Sequence, residues 1–216
     1  MKRIIDIILS FAALILLSPV LVIISILVKI KHGSPILFRQ KRPGLSEKIF
    51  TIYKFRTMTE KKDENGNLLP DKIRLTRLGK FLRSSSIDEL PELFNILKGD
   101  MSIVGPRPQL IKDMVFMTPA QRKRHTVKPG LTGWAQINGR NNISWEEKLA
   151  LDLEYIEKIS FVKDLQIIIM TIVKVFKREN VATDGMETAE DLGDYLLRTG
   201  KIDREEYVRK LENVFK

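Results

Sequence analysis

From Ile4 to Ile30 the chain is an almost unbroken apolar run, interrupted by Asp6, Ser10, Ser18, Pro19, Ser25 and Lys29. A helix over that run is long enough to cross a bilayer, and a straight membrane anchor is the plain reading. A secretory signal fits less well, because the run exceeds an h-region and no small-residue cleavage site follows it. Pro19 removes one helical hydrogen bond and clashes with the carbonyl of Ile15, so a bend is expected at Ser18-Pro19. Lys2 and Arg3 precede the run, and Lys29 and Lys31 close it. The positive-inside rule then favours the cytoplasm for both ends, which no straight span satisfies. A re-entrant helix–break–helix that dips into one leaflet and returns does satisfy it, with Ser18 available to bond the carbonyl freed by the proline. Residues 1–31 are assigned to this membrane element.

What such an anchor carries is bounded by charge and by missing side chains. The 216 residues suffice for one ordinary core, and the net charge of +10 calls for an anionic partner: nucleic acid, the anionic face of a membrane, or a phosphorylated substrate. With no cysteine, disulfides, Cys-ligated zinc and thiol nucleophiles are excluded, and two histidines argue against a His-rich metal site. Any metal should be hard and oxygen-bound, with magnesium (Mg2+) on carboxylates and substrate phosphates the natural candidate.

Beyond the anchor, Pro35–Gln40 and Ile49–Arg56 are short segments rich in aromatic and β-branched residues, with a turn at Lys41-Arg42-Pro43-Gly44, and predict a β-hairpin. Thr59 to Lys72 reads as an exposed loop. Apolar positions 75, 78, 81 and 82 predict a helix over 74–83, and Leu90, Leu93, Phe94 and Leu97 predict another over 89–98, stopped at Gly99. Between them lies Ser84-Ser85-Ser86-Ile87-Asp88-Glu89-Leu90-Pro91, where Ser86-x-x-Glu89 fits a capping box and Pro91 suits a first helical turn. The two carboxylates either cap that helix or meet a phosphoryl group at its amide-rich end; local pattern leaves both open.

Gly105-Pro106-Arg107-Pro108 cannot be helical, and its prolines hold Arg107 on a stiff loop suited to bidentate phosphate binding. Thr118 to His125 is expected as a polar surface helix contributing charge. Pro129 to Arg140 is dense in turn residues around Trp134, which reads as a core or interfacial side chain. An amphipathic helix over 145–159 with Ser144 as N-cap is followed by the apolar 165–176, too short to span and suited to the core or the membrane interface. From Thr183 the composition turns acidic, and helical patterns over 187–197 and 203–214 predict an appended hairpin for partner binding or self-association.

The apolar N-terminus with Ser18-Pro19, Tyr53-Lys54-Phe55-Arg56-Thr57-Met58, Arg83 through Leu93, Gly105-Pro106-Arg107-Pro108, and Pro129 through Arg140 occur together in this order. That ordered set resembles the bacterial sugar transferase family, the monotopic polyprenyl-phosphate phosphoglycosyl transferases, over roughly residues 2 to 180. The resemblance implies transfer of a phosphosugar from a nucleotide diphosphate sugar, usually a UDP-sugar, to a membrane polyprenyl phosphate such as undecaprenyl phosphate, with release of the nucleoside monophosphate. It implies Asp88 as nucleophile, Asp88 and Glu89 near Mg2+, and Glu89 as an acid/base or positioning group. Arg83 and Arg107, between Pro106 and Pro108, are the implied phosphate or nucleotide contacts, with Lys54, Arg56 and Arg140 as further candidates. The expected architecture is α/β, mostly α with a small β-hairpin: a catalytic domain over 32–182, interfacial amphipathic helices, and the appendage over 183–216. The implied location is the cytoplasmic face of a bacterial inner membrane, in contact with anionic lipid. Direct ternary displacement is the rival mechanism. A membrane-tethered nucleic-acid or partner-binding module is the rival class, and it leaves the carboxylate pair and the Arg107 loop unexplained.

Overall fold

The computed structural model describes residues 1–139, 143–177 and 190–212. Its first element, α1 (Lys2–His32), is one helix with Pro19 inside it. The Ile15 carbonyl, which Pro19 leaves without a backbone donor, accepts a 2.8 Å bond from Ser18 Oγ, so the expected local compensation is present and helical structure continues through the dipeptide. Asp6, Ser10, Leu14, Ile24, Val28 and His32 form the buried stripe of α1, while Ile8, Phe11, Ile15, Leu16, Ile23 and Ile30 are exposed. A helix that is apolar on its outer faces as well as its packed one presents a surface suited to lipid rather than water. It is, among the described residues, the one helix long and apolar enough to cross a membrane.

Both ends of α1 are fastened to the same body. At its start Lys2 Nζ meets Asp164 Oδ2 at 2.5 Å, and Arg3 donates to the carbonyls of Ile96 (2.5 Å) and Leu97 (2.7 Å). Asp6 Oδ1 accepts from Ile103 N at 3.0 Å. At its end His32 Nε2 lies 2.7 Å from Thr76 Oγ1, and the His32 carbonyl accepts from Arg56 Nη2 at 2.7 Å.

The hairpin is confirmed, but shifted: β1 (Leu37–Pro43) runs antiparallel to β2 (Ile49–Phe55) in a register from Leu37↔Phe55 to Pro43↔Ile49. The turn therefore lies at 44–48, not 41–44, because a proline at a strand's last position on an edge removes no ladder bond from a neighbour. Phe50 and Ile52 pack with Leu14, Leu93, Ile96 and Met101. By the two-residue period of a strand, Lys54 shares their face and points under the next helix.

After the short α2 (Asp71–Arg74), Thr76 caps α3 (Arg77–Ser84) by accepting from Gly79 N at 2.9 Å, which is why that helix begins later than its apolar pattern suggests. The predicted helix over 89–98 divides into a 3₁₀ turn at Ile87–Glu89 and α4 (Glu92–Lys98). Asn95 of α4 is wholly buried and clips onto β2, accepting from Tyr53 N (3.1 Å) and donating to the Thr51 carbonyl (2.7 Å). A second sheet, absent from the sequence-based expectation, pairs β3 (Ser102–Val104) parallel to β4 (Gly130–Thr132). Close approach demands its glycines: a Cβ on Gly130 would stand 2.1 Å from the nitrogen of Gly105.

The rest is helical: α5 (Ile111–Met114), α6 (Pro119–Arg122), α7 (Trp134–Asn138), α8 (Trp145–Glu157) and α9 (Phe161–Lys177). The expectation of a surface helix through His125 fails after Arg122, where a 3₁₀ turn buries Arg124 and His125. The appended hairpin is α10 (Leu192–Arg198) and α11 (Arg204–Glu212), docked by Leu192, Leu196 and Tyr207 onto Phe116, Met117 and Trp145. Arg140 and the outer ends of the two predicted tail helices lie outside the described residues.

Candidate active site

Three elements bring charge to one place. The turn Ile87–Glu89 supplies Asp88 and Glu89, the core face of β2 supplies Lys54, and the loop after β3 supplies Arg107. Glu89 Oε1 accepts from Lys54 Nζ at 2.6 Å and from Arg107 Nη2 at 2.5 Å, and Oε2 lies 3.4 Å from Arg107 Nη1. Burial alone would raise the Glu89 carboxyl, but Arg107 and Lys54 outweigh it and hold the group far below the usual carboxylate range. These contacts favour the ionised form of Glu89 and make it a clamp between two cations.

Asp88 is in the opposite condition. It is 8% exposed, and its Oδ1 has no hydrogen-bond partner among the described residues. Burial, and then the charge of Glu89, push it up to about 6 against the pull of Lys54, Arg107 and Arg83. Adjacent carboxylates with values driven apart mark distinct chemical roles. The poorly solvated oxygen of Asp88 is suited to act as nucleophile or base, while Glu89 positions the cations that an approaching phosphate would meet.

The capping box does not form. Ser86 makes no side-chain cap bond and sits at φ 56°, a left-handed conformation that is strained for a residue with a Cβ. Glu89 cannot reach back to Ser86 while it holds Lys54 and Arg107.

Arg107 is set from behind through carbonyl oxygens. Those of Pro106, Arg107 and Pro108 accept, respectively, from Gly130 N (3.0 Å), Arg124 Nη2 (2.6 Å) and Arg42 Nη1 (3.2 Å). Arg124 is itself fixed by Asp152 Oδ2, at 3.0 Å from Nε and 2.7 Å from Nη2. Pro106 and Pro108 thus contribute stiffness and anchoring oxygens. Arg83 donates to Thr57 Oγ1 at 3.0 Å and, with Ser85, Ser86, Glu89 and Arg107, lines a cavity of about 430 Å³. Arg56 turns elsewhere, donating to the carbonyls of His32 and Pro35 and tying β2 to the end of α1.

Glu92, Arg124, Lys148 and Asp152 have no role in the sequence-based reading. Glu92 is 1% exposed, stands 3.2 Å from Lys54, and is pushed up to about 7 by burial and by Glu89. Its signal was its position one helical turn beyond Asp88. Asp152 had a clearer one, since it falls within the buried stripe Trp145, Leu149, Asp152, Tyr155 of α8, where a charge needs a partner.

No group of three or more His, Cys, Asp or Glu side chains suited to a metal is present among the described residues. A magnesium ion, however, commonly takes one or two carboxylates and completes its shell with water and substrate phosphate. The partnerless Oδ1 of Asp88 fits that use, whereas both oxygens of Glu89 are already taken by cations.

Residues 1–178 match the family model described as bacterial sugar transferase. The chain is 50% identical over 190 residues to a Bacillus subtilis protein named uncharacterized sugar transferase EpsL, covering 88% of this chain and 94% of that one. It is 43% identical over 185 residues to a Klebsiella pneumoniae UDP-glucose:undecaprenyl-phosphate glucose-1-phosphate transferase, covering 81% of this chain but only 40% of that longer protein. It is 43% identical over 156 residues to the galactosyl transferase CpsE of Streptococcus agalactiae, with coverage of 66% and 35%. On the extent of the family match and on these identities, the chain belongs to the bacterial sugar transferase family.

Proposed function

We propose that this protein transfers a phosphosugar from a UDP-sugar to undecaprenyl phosphate, releasing UMP, with Asp88 as the covalent nucleophile. The observation that carries this reading is the contrast within the carboxylate pair: a desolvated Asp88 with a free oxygen, beside a Glu89 that holds Lys54 and Arg107 ready for phosphate. The name of the Klebsiella relative supplies the substrate classes.

In the first step an Asp88 oxygen attacks the sugar-linked phosphorus, forming a carboxylate–phosphate bond as the bond to the UMP oxygen breaks. Arg107, Lys54 and Arg83 offset the negative charge that would otherwise keep two anions apart. In the second step an oxygen of the lipid phosphate attacks the same phosphorus, and Asp88 leaves as a free carboxylate with a polyprenyl diphosphate sugar as product. Magnesium, held by Asp88 and substrate phosphates, would supply further charge neutralisation when bound.

The test is labelled donor without acceptor. A near-stoichiometric burst of UMP with label retained on protein is expected; under single-turnover conditions, UMP release only when undecaprenyl phosphate is present would favour direct displacement.

The same reading places the protein on the cytoplasmic face of the membrane, with α1 held in one leaflet. Fastening of both its ends, through Lys2, Arg3 and His32, to one globular body supports this, as does the exposed apolar face of α9, which includes Phe161, Val162, Leu165 and Ile169. Cysteines introduced at Met1 and at Gly33 should label from the same side of sealed vesicles. Labelling from opposite sides would mean a full span.

A further inference from the structure

The cavity beside Arg107 is lined by charged side chains, among them Arg83, Arg107, Lys148 and Asp152, and by an apolar set that includes Leu131, Ile137, Ile168, Ile172 and Val175, with Thr171 and Lys174 beside them on α9. Lys148 is the unexplained member of the charged set. Its ammonium lies 4.3 Å over the Trp145 ring, and among the described residues it has neither a hydrogen-bond acceptor nor an ion-pair partner. Trp145 is 6% exposed and is held by its own Nε1 bond to the Glu190 carbonyl at 3.1 Å, so the lysine rests on a fixed platform. A cation held in a cavity beside a second cation, with no acceptor of its own, is a site for an anion.

Which anion is decided by the rest of the lining. The cavity that holds Lys148 and Arg107 also carries apolar side chains of α9. Ile172 both lines the cavity and is 51% exposed, and it continues into the exposed Leu165, Ile169 and Val173. An exposed apolar stripe that runs into the cavity suits a hydrocarbon chain entering from a membrane.

We propose that Lys148, with Arg107, grips the phosphate of the lipid acceptor, and that its hydrocarbon chain leaves the cavity along the Ile168, Ile172 and Val175 wall of α9. This rests on the function proposed above. Arg107, paired with Glu89 and lining the same cavity as Lys148, then serves both half-reactions.

The experiment compares full-length wild type, Lys148→Met and Lys148→Arg in lipid nanodiscs. Loss of one charge-assisted hydrogen bond should raise the KM for undecaprenyl phosphate roughly tenfold or more in Lys148→Met. Donor-only UMP release and product inhibition by UMP should move by less than about threefold, and Lys148→Arg should recover most of the loss. An equal fall in the donor half-reaction, or weaker UMP inhibition in step with the acceptor effect, would assign Lys148 to the nucleotide and overturn the proposal. Failure of wild type itself to release UMP would instead sink the functional reading. Ile172→Ser tests the wall independently of the lysine: it should narrow the preference for undecaprenyl over a short prenyl phosphate. An unchanged preference counts against the chain path.

Discussion

Asp88→Asn is expected to lower turnover by about three orders of magnitude or more and, at neutral pH, to raise the unfolding temperature. The loss follows from removing the attacking oxygen's charge while leaving its size and surroundings intact. The gain follows from linkage. Asp88 in the folded protein is pushed up to about 6 from an ordinary 3.8, first by burial and then by Glu89, so the folded chain holds this proton more tightly than the unfolded chain does. As pH rises from about 4 to about 6, ionisation therefore costs stability, on the order of 1–3 kcal/mol, and the cost persists at higher pH. An amide does not ionise. The difference in thermal midpoint between variant and wild type should be small near pH 4, grow towards pH 6, and stay level above it. Unfolding scans across this range in one detergent, together with the donor-only UMP burst, check both halves. A variant less stable than wild type at pH 7 would show that Asp88 is not held at a desolvation cost.

This trade between stability and activity also explains how the site reads in sequence. Ser86-x-x-Glu89 has the letters of a capping box, and local pattern cannot decide between cap and chemistry, because the deciding partners are distant. Lys54 lies 35 residues before Glu89 and Arg107 lies 18 after it. The hairpin is legible because β-branched and aromatic residues mark both strands, and its register is not, because Pro43, a turn residue by local pattern, pairs with Ile49 at the end of β1. The β3–β4 pair was not legible: three residues per strand carry no period, and glycines chosen for close backbone approach look like loop. The burial of Arg124 is hidden from the sequence for a related reason. In Gln121-Arg122-Lys123-Arg124-His125 nothing local tells which cation turns inward, and its partner Asp152 is 28 residues away.

That buried pair carries the second large effect. In Asp152→Ala, Arg124 remains 2% exposed with the Arg107 carbonyl as its remaining acceptor, a buried guanidinium without its counter-charge. Breaking one partner of such a pair costs about 3–5 kcal/mol, so a large drop in unfolding temperature is expected. Replacing both partners with apolar side chains, Arg124→Met with Asp152→Leu, removes the uncompensated charge and should restore most of the stability. It should not restore turnover. The Arg107 carbonyl would still lack its 2.6 Å donor, so that the loop backbone is anchored only through Pro106 and Pro108 while the guanidinium stays on Glu89. Misplacement of a phosphate-binding group by about 1 Å can cost a hundredfold in rate. Thermal unfolding and UMP release measured on the single and double variants separate the two contributions. A double variant that recovers both would reduce the Arg124–Asp152 pair to core packing. One that recovers stability alone identifies it as the fixture that holds the Arg107 loop in place.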